Sequence, residues 1–208
     1  MEGFQTSAQK TGNPAGWGSL WRSDCLLCLG PAGPTPVCDN CERLLPRLAG
    51  RCLRCALPLP EGRLCGECLR TPPSFDDVVT AFDYRFPIDR LVQRFKFSAD
   101  LAAGAYLGEA LARTVVAVPA PDLVLASPAS AARLRERGFN PALVLARHVK
   151  ARLGVALDAR GLSKVRHTPP QSGLDRAGRR RNLRGAFSVR RRLDGLHVAV
   201  VDDVMTTG

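Results

Sequence analysis

The chain has 208 residues, of which 45% are hydrophobic and 24% charged, and its formal net charge is +11. This length allows one medium-sized domain with a small module and excludes two full enzyme domains, while the composition excludes a wholly disordered chain. No run approaches the roughly 18–20 apolar residues that span a bilayer, and the polar start lacks the apolar centre of a secretory signal, so we predict a cytoplasmic protein.

Residues 1–19 are rich in Gly, Ser and Thr and have no periodicity, which predicts a disordered tail. Eight cysteines follow as four C-x-x-C pairs, arranged as two copies of C-x2-C-x9-C-x2-C. Two C-x-x-C turns complete a tetrahedral shell of four thiolates, which suits a structural Zn²⁺ with no open position for catalysis. The predicted groups are Cys25, Cys28, Cys38 and Cys41 on one zinc ion and Cys52, Cys55, Cys65 and Cys68 on the other.

The spacing of the cysteines favours this consecutive pairing but leaves an interleaved pairing open. Disulfides are the alternative to zinc. They are the weaker alternative because the sequence shows no export signal, and cytosolic thiols are kept reduced.

Beyond Pro72 and Pro73 the sequence alternates between strand and helix periodicities, which predicts an α/β domain with a parallel sheet. The predicted strands are residues 77–84, 122–127 and 196–201. The predicted helices are residues 88–97, residues 99–113, and a third helix that begins after Asn140 and ends at Gly154. Residues 196–201 are almost continuously apolar, which is typical of the centre of a parallel sheet. His148 lies off the apolar stripe of its helix and receives no role.

Positive charge is concentrated between residues 131 and 192, which hold seventeen basic and three acidic side chains, a net charge of +14. Such a segment attracts polyanions, either nucleic acid or a phosphorylated small molecule. The alternative is an arginine-rich face that is simply solvated. Residues 161–192 of this segment are repeatedly interrupted by glycine and proline, which predicts a mobile loop flanked by short elements.

The last predicted strand leads directly into the sequence DDVMTTG. Ligands of open α/β sheets bind beyond the carboxyl ends of the strands, which is where these residues lie. Two adjacent carboxylates can accept hydrogen bonds from the vicinal hydroxyls of a ribose, and a Thr-Thr-Gly turn can offer hydroxyls and backbone N–H groups to a phosphate. The pattern predicts a site for a ribose 5-phosphate group, and the alternative is an acidic turn after a buried strand.

This ending resembles the motif with which type I phosphoribosyltransferases bind 5-phosphoribosyl-1-pyrophosphate (PRPP). Lys96 in the sequence RFKFSAD, the segment RERGFN at residues 135–140 and the doubled cysteine unit extend the resemblance to the ComF family. Members of that family join a double zinc ribbon to a phosphoribosyltransferase-like domain. The resemblance implies a tail at residues 1–19, a double zinc ribbon at 20–72, and at 73–208 a phosphoribosyltransferase-like domain with a parallel sheet and helices on both faces.

The resemblance also implies roles for individual residues. Asp202 and Asp203 would hold the ribose diol, and Thr206, Thr207 and Gly208 the 5-phosphate. Ser127 begins the segment in the place of the pyrophosphate loop, Arg137 and Arg179 would balance the pyrophosphate charge, and residues 161–192 take the place of the family's flexible loop. The implied cofactor is Mg²⁺ bound with PRPP.

Two functions follow from the resemblance. The first is phosphoribosyl transfer to an acceptor that the sequence does not identify, with no catalytic residue assigned. The second is an accessory role without catalysis, in which the protein binds single-stranded DNA during uptake, as in natural transformation. In the family the phosphate loop continues past its glycine into a helix, and this sequence stops at Gly208. We therefore expect one face of the sheet to be uncovered, and the 208-residue form to be marginally stable and to bind PRPP weakly or not at all.

Overall fold

A computed structural model describes residues 24–47, 50–59, 64–166 and 176–205. The helices are α1 (Asp39–Arg43), α2 (Gly66–Arg70), α3 (Ile88–Ser98), α4 (Leu101–Thr114), α5 (Ala131–Arg137), α6 (Pro141–Leu153) and α7 (Arg176–Leu183), with a short 3-10 turn at Val115–Ala117. The strands are β1 (Leu123–Ala126), β2 (Ala156–Asp158), β3 (Leu162–Lys164), β4 (Phe187–Val189) and β5 (Val198–Val201). The predicted α/β class is confirmed. The predicted tail lies outside the described residues, and none of the described helices has the length and apolar character needed to cross a bilayer.

A parallel three-stranded sheet of order β2-β1-β5 forms the centre of the α/β domain. β1 pairs on both sides, and all four of its residues are buried, as its apolar sequence predicts. β5 pairs only with β1 in the described part of the chain, and Val200 is 58% exposed. The prediction that residues 196–201 form the centre of the sheet was therefore wrong, because an apolar run indicates burial but not which neighbours a strand acquires.

Residues 77–84 form no strand, so that prediction was also wrong. Their backbone is hydrogen-bonded to the cysteine-rich segment instead. Arg51 donates a hydrogen bond to the carbonyl oxygen of Val78, and the N–H of Asp83 donates to the carbonyl oxygen of Pro46 at 2.8 Å. Phe82 of this stretch packs against the main core, with its ring centre 6.2 Å from that of Tyr106, so it is covered without pairing in a sheet.

The three predicted helices are confirmed as α3, α4 and α6. α6 begins as predicted: the side chain of Asn140 accepts a hydrogen bond from the N–H of Ala142 at 3.1 Å, and Pro141 occupies the first turn. It ends at Gly154, whose φ of 69° is a left-handed conformation that glycine adopts without strain. The predicted mobile loop at 161–192 contains α7 and an antiparallel pair of strands, β3 with β4, while residues 167–175 lie outside the described part.

Close contacts at two glycines of α4 join this helix to its neighbours. A Cβ atom at Gly104 would lie 2.4 Å from the ring of Phe95 in α3, and one at Gly108 would lie 2.4 Å from the ring of His148 in α6. The ring of His148 therefore packs over a glycine. Sequence periodicity gave no sign of this role.

We expect Gly104→Ala to destabilise the protein by about 1–3 kcal/mol, because the added methyl group overpacks the fully buried Phe95. In an open helix the same change stabilises by about 1 kcal/mol. Gly66→Ala in α2 is the control, since no atom lies within 4 Å of its added Cβ, and it should leave stability unchanged or raise it. Urea unfolding measures both. A midpoint for Gly104→Ala at or above that of the native protein would contradict the close contact.

The first cysteine group belongs to the main core, and the second does not. Cys25 and Leu45 are buried in the same apolar cluster as β1 and helices α3, α4 and α6. Arg94 of α3 also donates a hydrogen bond to the carbonyl oxygen of Leu26 at 2.6 Å. The second group forms a small separate cluster. Its buried members are Cys52, Cys55 and Cys68, with Leu57, Cys65 and Phe75 packed against them.

Candidate functional site

The eight cysteines, all free thiols, form two groups of four whose Sγ atoms lie within 4.8 Å of one another. The Sγ atoms of Cys28 and Cys38 are 3.8 Å apart, and those of Cys55 and Cys65 are 3.7 Å apart. A tetrahedral zinc ion with Zn–S bonds of about 2.3 Å requires Sγ atoms about 3.8 Å apart. Both groups therefore fit a structural zinc ion. The four cysteines of each group are consecutive in the sequence, which decides between the two pairings that the spacing left open.

The two groups are built alike. Cys25 and Cys52 are both fully buried, and their Sγ atoms accept backbone hydrogen bonds at 3.3 Å from Cys38 and Cys65, respectively. Burial by itself raises the pKa of these two thiols, but the backbone N–H donors outweigh it and lower the pKa to about 6. The N–H groups thus favour the thiolate, which is the form that binds zinc.

The last cysteine of each group has the opposite preference. Burial, followed by the neighbouring thiols, raises the pKa of Cys41 and of Cys68 to about 12. Zinc binding by these two residues must therefore displace protons, as metal binding to thiols commonly does. A shell assembled from both kinds of thiol would hold the metal and shape the ribbon without providing an open coordination position.

The carboxyl ends of β1 and β5 bring three of the predicted ribose-phosphate residues together. Ser127 follows β1, and Asp202 and Asp203 follow β5. The N–H of Ser127 donates to the carbonyl oxygen of Val201 at 2.8 Å, which holds the two chain segments side by side. The N–H of Asp203 donates to Oδ1 of Asp202 at 2.8 Å. The geometry is that of a strand-end loop pair, the usual location of ligands in α/β sheets.

Lys96 reaches this edge from the last turn of α3. Its Nζ lies 2.7 Å from Oδ1 of Asp203, and the two side chains are only 18% and 16% exposed. Asp202 stays open to solvent at the same edge. Partial desolvation and the adjacent Asp203 carboxylate raise the pKa of Asp202, while hydrogen bonds from Asp203 and Ser127 and the charge of Lys96 oppose the rise. In the sequence, Lys96 was only a landmark of the family resemblance, and no local pattern links it to residues so far along the chain.

Arg137 ends α5 next to the same edge. Its guanidinium carbon lies 4.8 Å from the centre of the Phe97 ring, and its buried Nε has no hydrogen-bond partner among the described residues. Asn140, three residues further on, donates from Nδ2 to the carbonyl oxygen of Ser127 at 2.9 Å. The remaining predicted residues are Thr206, Thr207 and Gly208 and the side chain of Arg179, all outside the described part of the structure.

The chain therefore carries two cysteine groups that fit zinc, followed by a domain with a parallel sheet. This is the architecture of a double zinc ribbon joined to an α/β domain. The chain is 34% identical over 193 residues to DNA utilization protein YhgH of Salmonella typhi and 32% identical to that of Escherichia coli K12. It is 31% identical over 196 residues to Competence protein F of Haemophilus influenzae, and each alignment covers 88% of this chain and 85% of the relative. The chain therefore belongs to the ComF family. No protein-family model matches it, and no solved structure does.

Proposed function

We propose that this protein binds PRPP or a related ribose 5-phosphate, together with Mg²⁺, at the carboxyl edge of its sheet, and that it acts in DNA utilization. The relatives named DNA utilization protein and Competence protein F support the second part. A single observation carries the first part: the Lys96–Asp203 ion pair lies beside Asp202 where β1 and β5 end.

The charges at this edge suit an anionic sugar ligand. Two adjacent carboxylates alone would repel a phosphate, but Lys96 compensates the charge of Asp203. Asp202 remains exposed to accept hydrogen bonds from ribose hydroxyls. The Ser127 segment, which is held beside the end of β5, and Arg137 would contact the pyrophosphate. Thr206, Thr207, Gly208 and Arg179 retain their predicted phosphate roles. Mg²⁺ bound with PRPP would offset part of the negative charge of the pyrophosphate.

We expect Asp203→Asn to weaken binding of PRPP with Mg²⁺ at least about tenfold, because a hydrogen bond to a charged group contributes about 1.5–3 kcal/mol. Calorimetric titration to millimolar PRPP measures this. Asp194→Asn is the matched control, since Asp194 is exposed and pairs only with Arg192 among the described residues. The native protein should also prefer ribose 5-phosphate to 2-deoxyribose 5-phosphate. Equal binding of the two sugar phosphates would contradict recognition of the ribose hydroxyls. Pyrophosphate release in the presence of candidate bases tests phosphoribosyl transfer separately.

The second candidate function is binding of single-stranded DNA by the basic segment. The observation that favours it is the exposure of its cations over several elements. Exposed basic residues of this segment include Arg133, Arg135, Arg147, Lys150, Arg152, Arg160, Arg190, Arg191 and Arg192. Neutralising several phosphates at once makes affinity fall steeply with salt.

A labelled oligonucleotide tests this candidate through its fluorescence anisotropy. The logarithm of the binding constant should fall with the logarithm of salt concentration, with a slope of about −0.7 for each phosphate contacted. Binding of PRPP, by comparison, should depend mainly on Mg²⁺. A strand affinity that stays constant between low and physiological salt would rule out the basic segment as a DNA-binding surface.

A further inference from the structure

Phe97 is an exposed aromatic ring at the end of α3. The residue is 67% exposed, whereas Phe95 in the same helix is fully buried, with its ring centre 5.3 Å from that of Phe139. The core is thus completed by Phe95, and the ring of Phe97 adds nothing to it. An exposed aromatic side chain beside a candidate ligand site can stack on a planar group.

One face of the Phe97 ring is already in contact with a cation. The guanidinium carbon of Arg137 lies 4.8 Å from the ring centre, within the range of a cation–π interaction. This contact favours the observed orientation of the ring, and the high exposure of the residue leaves the rest of the ring accessible. A ring with a preferred orientation loses less conformational entropy when a second planar group stacks on it.

Two further contacts attach this ring and its cation to the sheet edge. Lys96, the residue directly before Phe97, reaches Asp203 at 2.7 Å. On the other side, the turn that follows Arg137 is held by Asn140, which donates to the carbonyl oxygen of Ser127 at 2.9 Å. The aromatic–cation pair is therefore connected to both strand-end segments that make up the candidate ribose-phosphate site.

We propose that the open face of Phe97 stacks on a nucleobase whose ribose phosphate occupies the sheet edge. The ligand is then a free ribonucleotide, because a DNA strand lacks the vicinal hydroxyls that Asp202 and Asp203 would hold, and the inference rests on the proposed ribose-phosphate site. Stacking is tolerant of sequence because every base has a flat π face. Phe139, an aromatic residue of the basic segment, packs against Phe95 instead.

Two pairs of probes isolate the base. The first pair is AMP and ribose 5-phosphate, and the second is a short single-stranded oligonucleotide and the same strand with abasic sites. Phe97→Leu removes the ring and keeps the bulk, Phe97→Tyr keeps a ring, and PRPP titration serves as a base-free reference. Phe86→Leu is the matched control, because Phe86 is 73% exposed beyond the opposite end of α3.

We expect Phe97→Leu to weaken binding of AMP roughly 5- to 150-fold, corresponding to about 1–3 kcal/mol for one stacked base. Binding of ribose 5-phosphate, PRPP and the abasic strand should stay unchanged, and Phe97→Tyr and Phe86→Leu should behave like the native protein. An effect on AMP and not on the normal strand supports a free ribonucleotide as the ligand, and an effect on the strand without one on AMP would overturn a ligand held by its ribose diol.

Equal losses of affinity for probes with and without a base, or no loss of affinity in Phe97→Leu, would contradict stacking of a base on Phe97. If PRPP and ribose 5-phosphate fail to bind while Phe97→Leu selectively weakens binding of base-containing ligands, the ribose-phosphate site is contradicted and base stacking on Phe97 is supported. If PRPP binds and Phe97→Leu changes no affinity, the ribose-phosphate site is supported and base stacking is contradicted. Failure of the native protein to bind any probe would overturn both.

Discussion

Cys25→Ser is expected to unfold much of the protein, whereas Cys52→Ser is expected to remove one zinc ion and leave the α/β domain folded. The two residues hold equivalent positions in the repeated unit, and both are fully buried. Cys25, however, lies in the main apolar cluster with the helices of the α/β domain, while Cys52 lies in the small separate one. Loss of a structural zinc ion removes binding free energy that holds the surrounding fold together.

The experiment measures zinc content and thermal unfolding for both variants. Zinc should fall from two ions per chain to one in each. The main unfolding transition should be destabilised by more than about 4 kcal/mol in Cys25→Ser and by less than about 1 kcal/mol in Cys52→Ser, where the unfolding is local. Equal destabilisation by the two variants would show that the second cysteine group also supports the main core. Full zinc content in either variant would contradict the assigned ligands.

Lys96→Met is expected to weaken binding of PRPP with Mg²⁺ at least about tenfold and to change its dependence on pH. The substitution leaves Asp203 without its cation and removes a charge that lowers the pKa of Asp202. The pKa of Asp202, already raised by desolvation and by Asp203, then rises further. Because binding requires the ionised carboxylates, affinity falls as pH is lowered, and in Lys96→Met this fall should begin at a higher pH than in the native protein.

Calorimetric titrations across the acidic and neutral range measure this shift. Lys150→Met is the control, since Lys150 is an exposed cation on α6 and should affect PRPP binding only slightly. The change in pH profile separates a role at the site from a general loss of positive charge, which would lower affinity equally at every pH. Superimposable profiles for the native protein and Lys96→Met would show that Lys96 does not act through the aspartates.

Patterns within short segments predicted a large part of this protein. The repeated cysteine spacing predicted both metal groups, because a C-x-x-C turn fixes two thiols locally. Helical periodicity with Asn140, Pro141 and Gly154 predicted α6, because capping depends on residues within one turn. The apolar run of residues 122–127 likewise predicted strand β1. The position of Asp202 and Asp203 directly after a strand predicted their place at the carboxyl edge of the sheet.

The tertiary structure decided what depends on partners distant in the sequence. It placed residues 77–84 on the cysteine-rich segment and β5 at the edge of the described sheet. It also brought Lys96 to Asp203 and Arg137 to Phe97, and it put only one of two nearly identical cysteine groups into the main core. Periodicity and motifs indicate which side chains are buried or bind a ligand. The surface against which a side chain packs, and the charge with which it pairs, come from distant parts of the chain and are determined only when the whole chain folds.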